Sequence, residues 1–167
     1  MTAQHIINSL EFARKSLEIR DTIAHSDLQR AKDLLTPETE SLNWRLSGEI
    51  SADKKARLHL SLTGNVAVPC QRCLEPMMIA LSISSEFILV KDESEIPPEE
   101  DDVVEDHDYL VAEAEMDVLQ LVEDEILLAL PYAPKHEIKD CAVKAEVNER
   151  KAPNPFAALR DFKVVKS

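Results

Sequence analysis

The spacing of apolar residues changes twice along this chain, from near 3.6 at the start to 2 through the middle and back to near 3.6 beyond residue 116. Asn8 and Ser9 can cap a first helix from about Leu10 to Ile19, with Leu10, Ala13 and Leu17 on one face. A second helix is predicted after Ser26. There Ser26 and Gln29 fit a capping box, Leu28, Ala31 and Leu35 follow at roughly helical spacing, and Pro37 marks the stop. Leu42, Trp44, Leu46 and Ile50 then alternate with polar residues, as do Leu58, Leu60, Leu62, Val66 and Val68, and again Ile79, Leu81, Ile83, Phe87 and Leu89. Alternation with period 2 belongs to half-buried antiparallel strands. Gly48 and Gly64 interrupt two of these apolar faces, where a glycine often marks a bulge or a sharp bend.

Past the strands, residues 91–108 are too acidic to support a packed core and read as a flexible connection. Tyr109, Leu110 and Val111 suit a short further strand. Asp117, with Gln120 three positions on, caps a helix whose stripe of Val118, Leu119, Val122, Ile126 and Ala129 ends at Pro131. Helices before and after a block of strands predict an α+β fold, a curved antiparallel sheet or partial barrel flanked by N-terminal and C-terminal helices. The expected organisation is one domain over 1–149, with a basic segment bearing a short helix over 150–167.

Composition narrows the class. With 167 residues and 44% apolar content, the chain can bury a real core. No apolar run approaches the roughly 20 residues that cross a bilayer, and no basic segment followed by an apolar stretch opens the chain. The expected compartment is the cytoplasm. Three cysteines, an odd number, argue for reduced thiols or thiolate ligands over a disulfide framework.

A net charge of −13 opposes binding to phosphate backbones, but it is unevenly spread. Ten Asp or Glu residues lie between Lys91 and Asp108, and without them the remainder is near −3. From Lys135 onward the balance is locally +3. The acidic stretch is most simply a solvated connection, although it also has the character to imitate nucleic-acid phosphate towards a basic protein.

The strongest chemical pattern is Cys70-x-x-Cys73 with His136-x-x-x-x-Cys141. Pro69 and Pro76 bracket a hairpin tip that carries the first pair. Three thiolates and one imidazole make a tetrahedral zinc set, and a fully protein-ligated shell points to a structural ion because catalytic zinc keeps a position open. The site requires the fold to bring the end of the last helix beside the hairpin tip. The alternative is a pair of partly buried thiols and an exposed histidine. Dithiol redox catalysis fits poorly, since the residues after Cys73 continue as strand and offer no helix N-terminus to lower a thiol pKa.

Two other clusters have plain readings. Glu123, Asp124 and Glu125 diverge by roughly 100° per residue and read as a solvated helix face rather than a carboxylate site. Asn154 and Pro155 suit the start of a short helix that presents Phe156 and Leu159, with Arg160 nearby, either to the protein's own core or to a partner. Few aromatic residues are present for base stacking, so sequence-specific RNA reading is not expected.

Three separated strings carry a family resemblance: Cys70-Gln71-Arg72-Cys73; the run from Val122 to Pro131 leading to His136 and Cys141; and Pro153-Asn154-Pro155-Phe156-Ala157-Ala158-Leu159. In this order they resemble the bacterial YceD family, named for large ribosomal RNA subunit accumulation. The resemblance implies a role in synthesis, processing or stability of the 23S RNA of the large ribosomal subunit, and no defined catalytic mechanism. The expectation is therefore a non-enzymatic accessory factor in ribosome biogenesis. Its partners would be the ribosome assembly machinery or ribosomal proteins, with large-subunit rRNA contacted directly or indirectly. The alternatives are an RNA-processing enzyme using a divalent metal and a thiol-based redox-responsive interaction protein.

Overall fold

The computed structural model describes residues 5–97, 107–137 and 140–141. Of the acidic connection expected to be flexible over 91–108, residues 98–106 lie outside the described residues, as does the segment with Asn154, Pro155, Phe156, Leu159 and Arg160, while Glu93–Glu95 forms a 3-10 turn.

The chain begins with β1 (Ile6–Ile7), α1 (Ser9–Arg14) and β2 (Glu18–Ile23). Three long strands follow, β3 (Leu42–Ile50), β4 (Ala56–Pro69) and β5 (Pro76–Val90), then β6 (Asp108–Val111), β7 (Met116–Asp117) and α2 (Val118–Ala129). The main sheet runs in the order β2-β3-β4-β5-β6, and β1 pairs separately with β7. The small pair sets the N-terminus of α1 near that of α2, and Ser9, fully buried, exchanges hydrogen bonds with the backbone of Glu113.

The three alternating runs are the three central strands, paired antiparallel as neighbours. Their even-numbered apolar residues in β3 and β4, with Leu81, Phe87 and Leu89 of β5, form one face of the core. Phe12 and Ala13 of α1 and Val118, Leu121, Val122 and Ile126 of α2 join the same cluster. The fold is thus α+β with an open five-stranded sheet, and that sheet is mixed, not antiparallel throughout as expected. β6 lies parallel to β5, because the connection between Val90 and Asp108 is long enough for a crossover instead of a hairpin.

Two predicted helices need correction. The first ends at Arg14, not Ile19, although Asn8 does cap it by accepting the Glu11 N–H at 3.0 Å. Ser16 takes φ 51°, its N–H reaches the Ala13 carbonyl, and the Leu17 N–H reaches Phe12. That is a Schellman stop with serine where glycine is usual, so the sequence carries no visible end signal. Ile19 then belongs to β2. The second helix is absent. Leu28, Ala31 and Leu35 are buried as expected, but by short 3-10 turns at His25–Asp27 and Ala31–Asp33.

The glycines mark close approach rather than bulges, since the pairing register runs unbroken through both. A Cβ on Gly48 would lie 2.7 Å from the Cα of Ala13, so α1 crosses the sheet directly over this residue. Gly64, at φ 154°, faces the Leu42 side chain.

Candidate metal centre

β4 and β5 end in register at Pro69 and Pro76, and the chain between them folds into a tight knuckle. The Cys70 N–H donates to the Glu75 carbonyl at 3.0 Å, and the Leu74 N–H returns to the Cys70 carbonyl at 2.9 Å. Leu74 takes the left-handed conformation, φ 64°, needed to turn the chain after Cys73.

The segment beyond α2 docks on this knuckle. Leu130 terminates the helix and Pro131, which has no N–H, cannot extend it. Gln71 donates its backbone N–H to the Pro134 carbonyl at 2.8 Å, and the Arg72 guanidinium donates to the His136 carbonyl. These contacts hold the second donor pair against the first.

One candidate donor atom from each of Cys70, Cys73, His136 and Cys141 lies within 4.8 Å of the other three, a group able to hold a metal ion. The Cys73 sulfur is 3.4 Å from His136 Nδ1. Cys70 is fully buried, Cys141 is buried, and the other two are half-buried. All three cysteines are free thiols.

Electrostatics at the knuckle favour anionic sulfur. Burial pushes the Cys70 thiol up, but backbone N–H groups of Cys73, His136 and Arg72 outweigh it and bring its pKa down to about 5. The His136 and Arg72 amides lie 3.4 and 3.5 Å from that sulfur. The neighbouring Cys73 side chain raises the His136 pKa, since the imidazole holds its proton better beside a sulfur acceptor. Sulfur held as thiolate is the form that ligates a divalent cation, which would displace the proton from His136 as it binds.

The acidic run on α2 departs from the solvated face expected of it. Glu123 is only 4% exposed and accepts the N–H groups of Arg30 and Ala31 at 2.8 and 3.2 Å. Glu125 is also buried and accepts the Ser85 hydroxyl. Asp124, half exposed, pairs with Arg30 at 2.6 Å. The three carboxylates do diverge, and each is engaged in holding α2 to its neighbours. Arg72 and Pro134 are the contributors that motif reading missed; nothing about Pro134 marked its carbonyl as an anchor, whereas Arg72 stood inside the Cys-x-x-Cys string.

The family model described as "Large ribosomal RNA subunit accumulation protein YceD" matches residues 58–163, a span that holds the knuckle and all four donors. The chain belongs to the YceD family. A curated relative from Haemophilus influenzae, named large ribosomal RNA subunit accumulation protein YceD, is 26% identical over 94% of each chain. No solved structure matches. Among the described residues of this YceD family member, no helix is long and apolar enough to cross a membrane.

Proposed function

We propose that this protein is a non-enzymatic accessory factor in ribosome biogenesis, cytoplasmic, supporting synthesis, processing or stability of 23S rRNA. The observation that carries this reading is the family match across the knuckle, helix and donor residues, reinforced by the end-to-end similarity to a relative whose name states large ribosomal RNA subunit accumulation.

A structural zinc ion held by Cys70, Cys73, His136 and Cys141 belongs to the same proposal. A tetrahedral ion with Zn–S about 2.3 Å and Zn–N about 2.0 Å asks for donor separations of about 3.5–3.8 Å. The 3.4 Å between Cys73 and His136 lies just under that range, and no pair in the set is more than 4.8 Å apart. Amide N–H groups on a sulfur suit a thiolate ligand. Bound there, zinc would supply a cross-link between the β4–β5 tip and the segment after α2. Four protein donors leave no position for water or substrate, which is why the accessory reading is preferred to an RNA-cleaving one.

One observation favours a second reading. A Cys70 thiol with a pKa of about 5 is ionised at neutral pH, the form that oxidation requires, so a redox-responsive interaction protein that releases zinc on oxidation is the rival. Depletion of the protein, with precursor and mature 23S and 16S rRNA quantified side by side, tests the preferred function. A selective fall in 23S rRNA is expected, and unchanged large-subunit RNA would count against it. Metal content and partner recovery before and after mild oxidation separate the rival, which alone requires both to change together.

A further inference from the structure

β5 is longer than its outer neighbour. It spans Pro76–Val90, but β6 pairs only with Phe87–Val90. Among the described residues, the edge from Pro76 to Glu86 has β4 on one side and no strand on the other. An open edge of this length is normally guarded by charge, proline or a bulge, because its unpaired N–H and C=O groups are a template for another strand. Here Pro76 and Glu86 guard only the two ends, and Met77–Ser85 between them has none of these devices. From Pro76 to Ser85 there is no charged residue in a chain that is 31% charged, and the pairing to β4 has no bulge. Ile79 and Ile83, on the core-facing side, are only half-buried, and Met78 on the opposite side is 51% exposed.

We infer that this edge pairs with the same edge of a second copy of the chain, two β5 strands running antiparallel about a two-fold axis at Leu81. An isologous contact sets each residue opposite its mirror position. Around Leu81 that register places Ile79 opposite Ile83 of the second copy on the core-facing side, twice, and Met78 opposite Ser84 and Ala80 opposite Ser82 on the other. Apolar meets apolar where the core is incompletely covered. Glu86, the nearest charge, falls opposite Pro76, so no like charges meet despite the net charge of −13 on each copy. A basic partner strand would find no carboxylate along Pro76–Ser85 to recognise, whereas self-pairing of an acidic protein calls for such a neutral seam. The two sheets would join into one continuous sheet.

The test is light-scattering mass of the full chain across a dilution series, beside two double variants. The wild type is expected at twice the chain mass of 18.8 kDa at high concentration. Met78→Lys/Ser84→Lys sets like charges opposite each other across the axis and is expected to raise the dissociation midpoint by about tenfold or more. Met78→Lys/Ser84→Glu sets opposite charges there and is expected to restore pairing. A monomeric wild type overturns the inference, as does a dimer indifferent to both variants. Amide hydrogen exchange of the wild type provides a check independent of variant folding. Protection over Met77–Ser85 that falls on dilution supports the pairing, and protection that ignores concentration means that something else covers the edge.

Discussion

His136 Nδ1 lies 3.4 Å from the Sγ of Cys73, although 63 residues separate the two in the chain. Between them run β5, β6, β7 and α2, so one contact spans most of the second half of the fold. Any bond formed there restricts a long loop, and loop closure is where a cross-link constrains the unfolded chain most.

The protein as purified is expected to contain one zinc per chain, and Cys73→Ser or His136→Ala to abolish it. Each substitution should cost several kcal/mol, less than the roughly 10–16 kcal/mol apparent for zinc-finger peptides, because this chain has a hydrophobic core that does not depend on the ion. Combined in one chain, the two should cost little more than either alone, since both remove the same ion. Elemental analysis with denaturant unfolding, with and without chelator, reads all of this. Stoichiometric protein with no zinc, and additive losses, would remove the metal from the account.

Leu74 provides an effect of opposite sign. It holds φ 64° with its side chain 75% exposed, so it makes little packing to lose. A left-handed conformation costs an L-residue about 1–2 kcal/mol, while glycine adds about 0.5–1 kcal/mol of unfolded-state entropy. Leu74→Gly should therefore stabilise the protein by about 0.5–1 kcal/mol, visible as a higher denaturant midpoint at unchanged slope. A lower midpoint would mean that the leucine side chain packs against the docked segment.

Which of these features the sequence discloses follows from the range of the forces that set them. Strands β3, β4 and β5 are legible because one buried face imposes period 2 on Leu42–Leu46, Leu58–Val68 and Ile79–Leu89. The parallel β6 is legible as a strand at Tyr109–Val111 but not in its direction, which a long connection decides. Leu28, Ala31 and Leu35 show the limit of periodicity, since 3-10 turns bury the same three residues as an α-helix would. At the site, the ligand types and the Cys-x-x-Cys turn are local and readable. The docking of Pro134 and His136 on the knuckle is tertiary, and no spacing encodes it.

Glu123 tests whether the acidic run is structural. Its carboxylate takes two backbone N–H groups at the start of the 3-10 turn at Ala31–Asp33, with Arg30 at 3.6 Å. Glu123→Ala would strand these donors beside the core and should cost about 1–3 kcal/mol. Glu123→Gln retains an acceptor and should cost less. Large-subunit rRNA levels should track folded protein in both variants. Loss of function in a fully stable Glu123→Gln protein would instead assign this carboxylate a chemical role.

Gly48 is the glycine at which a side chain would run straight into the backbone of α1. Alanine there would bring its Cβ to 2.7 Å from Ala13 Cα and 2.9 Å from Ala13 N, both backbone atoms. Real Cβ atoms do not approach backbone so closely, so α1 must move away from β3. That movement opens the contact made by Phe12 and Ala13, which are 4% and 0% exposed. Overpacking of this kind costs about 1–3 kcal/mol, and lost burial of part of Phe12 adds to it. Gly48→Ala is therefore expected at the top of that range or above, and Ala13→Gly, made in the Gly48→Ala background, should recover none of the loss, because the clashing atoms are backbone that glycine also carries. If Gly48→Ala unfolds at the wild-type midpoint, α1 does not lie against β3 as closely as the register and the Schellman stop at Ser16 place it.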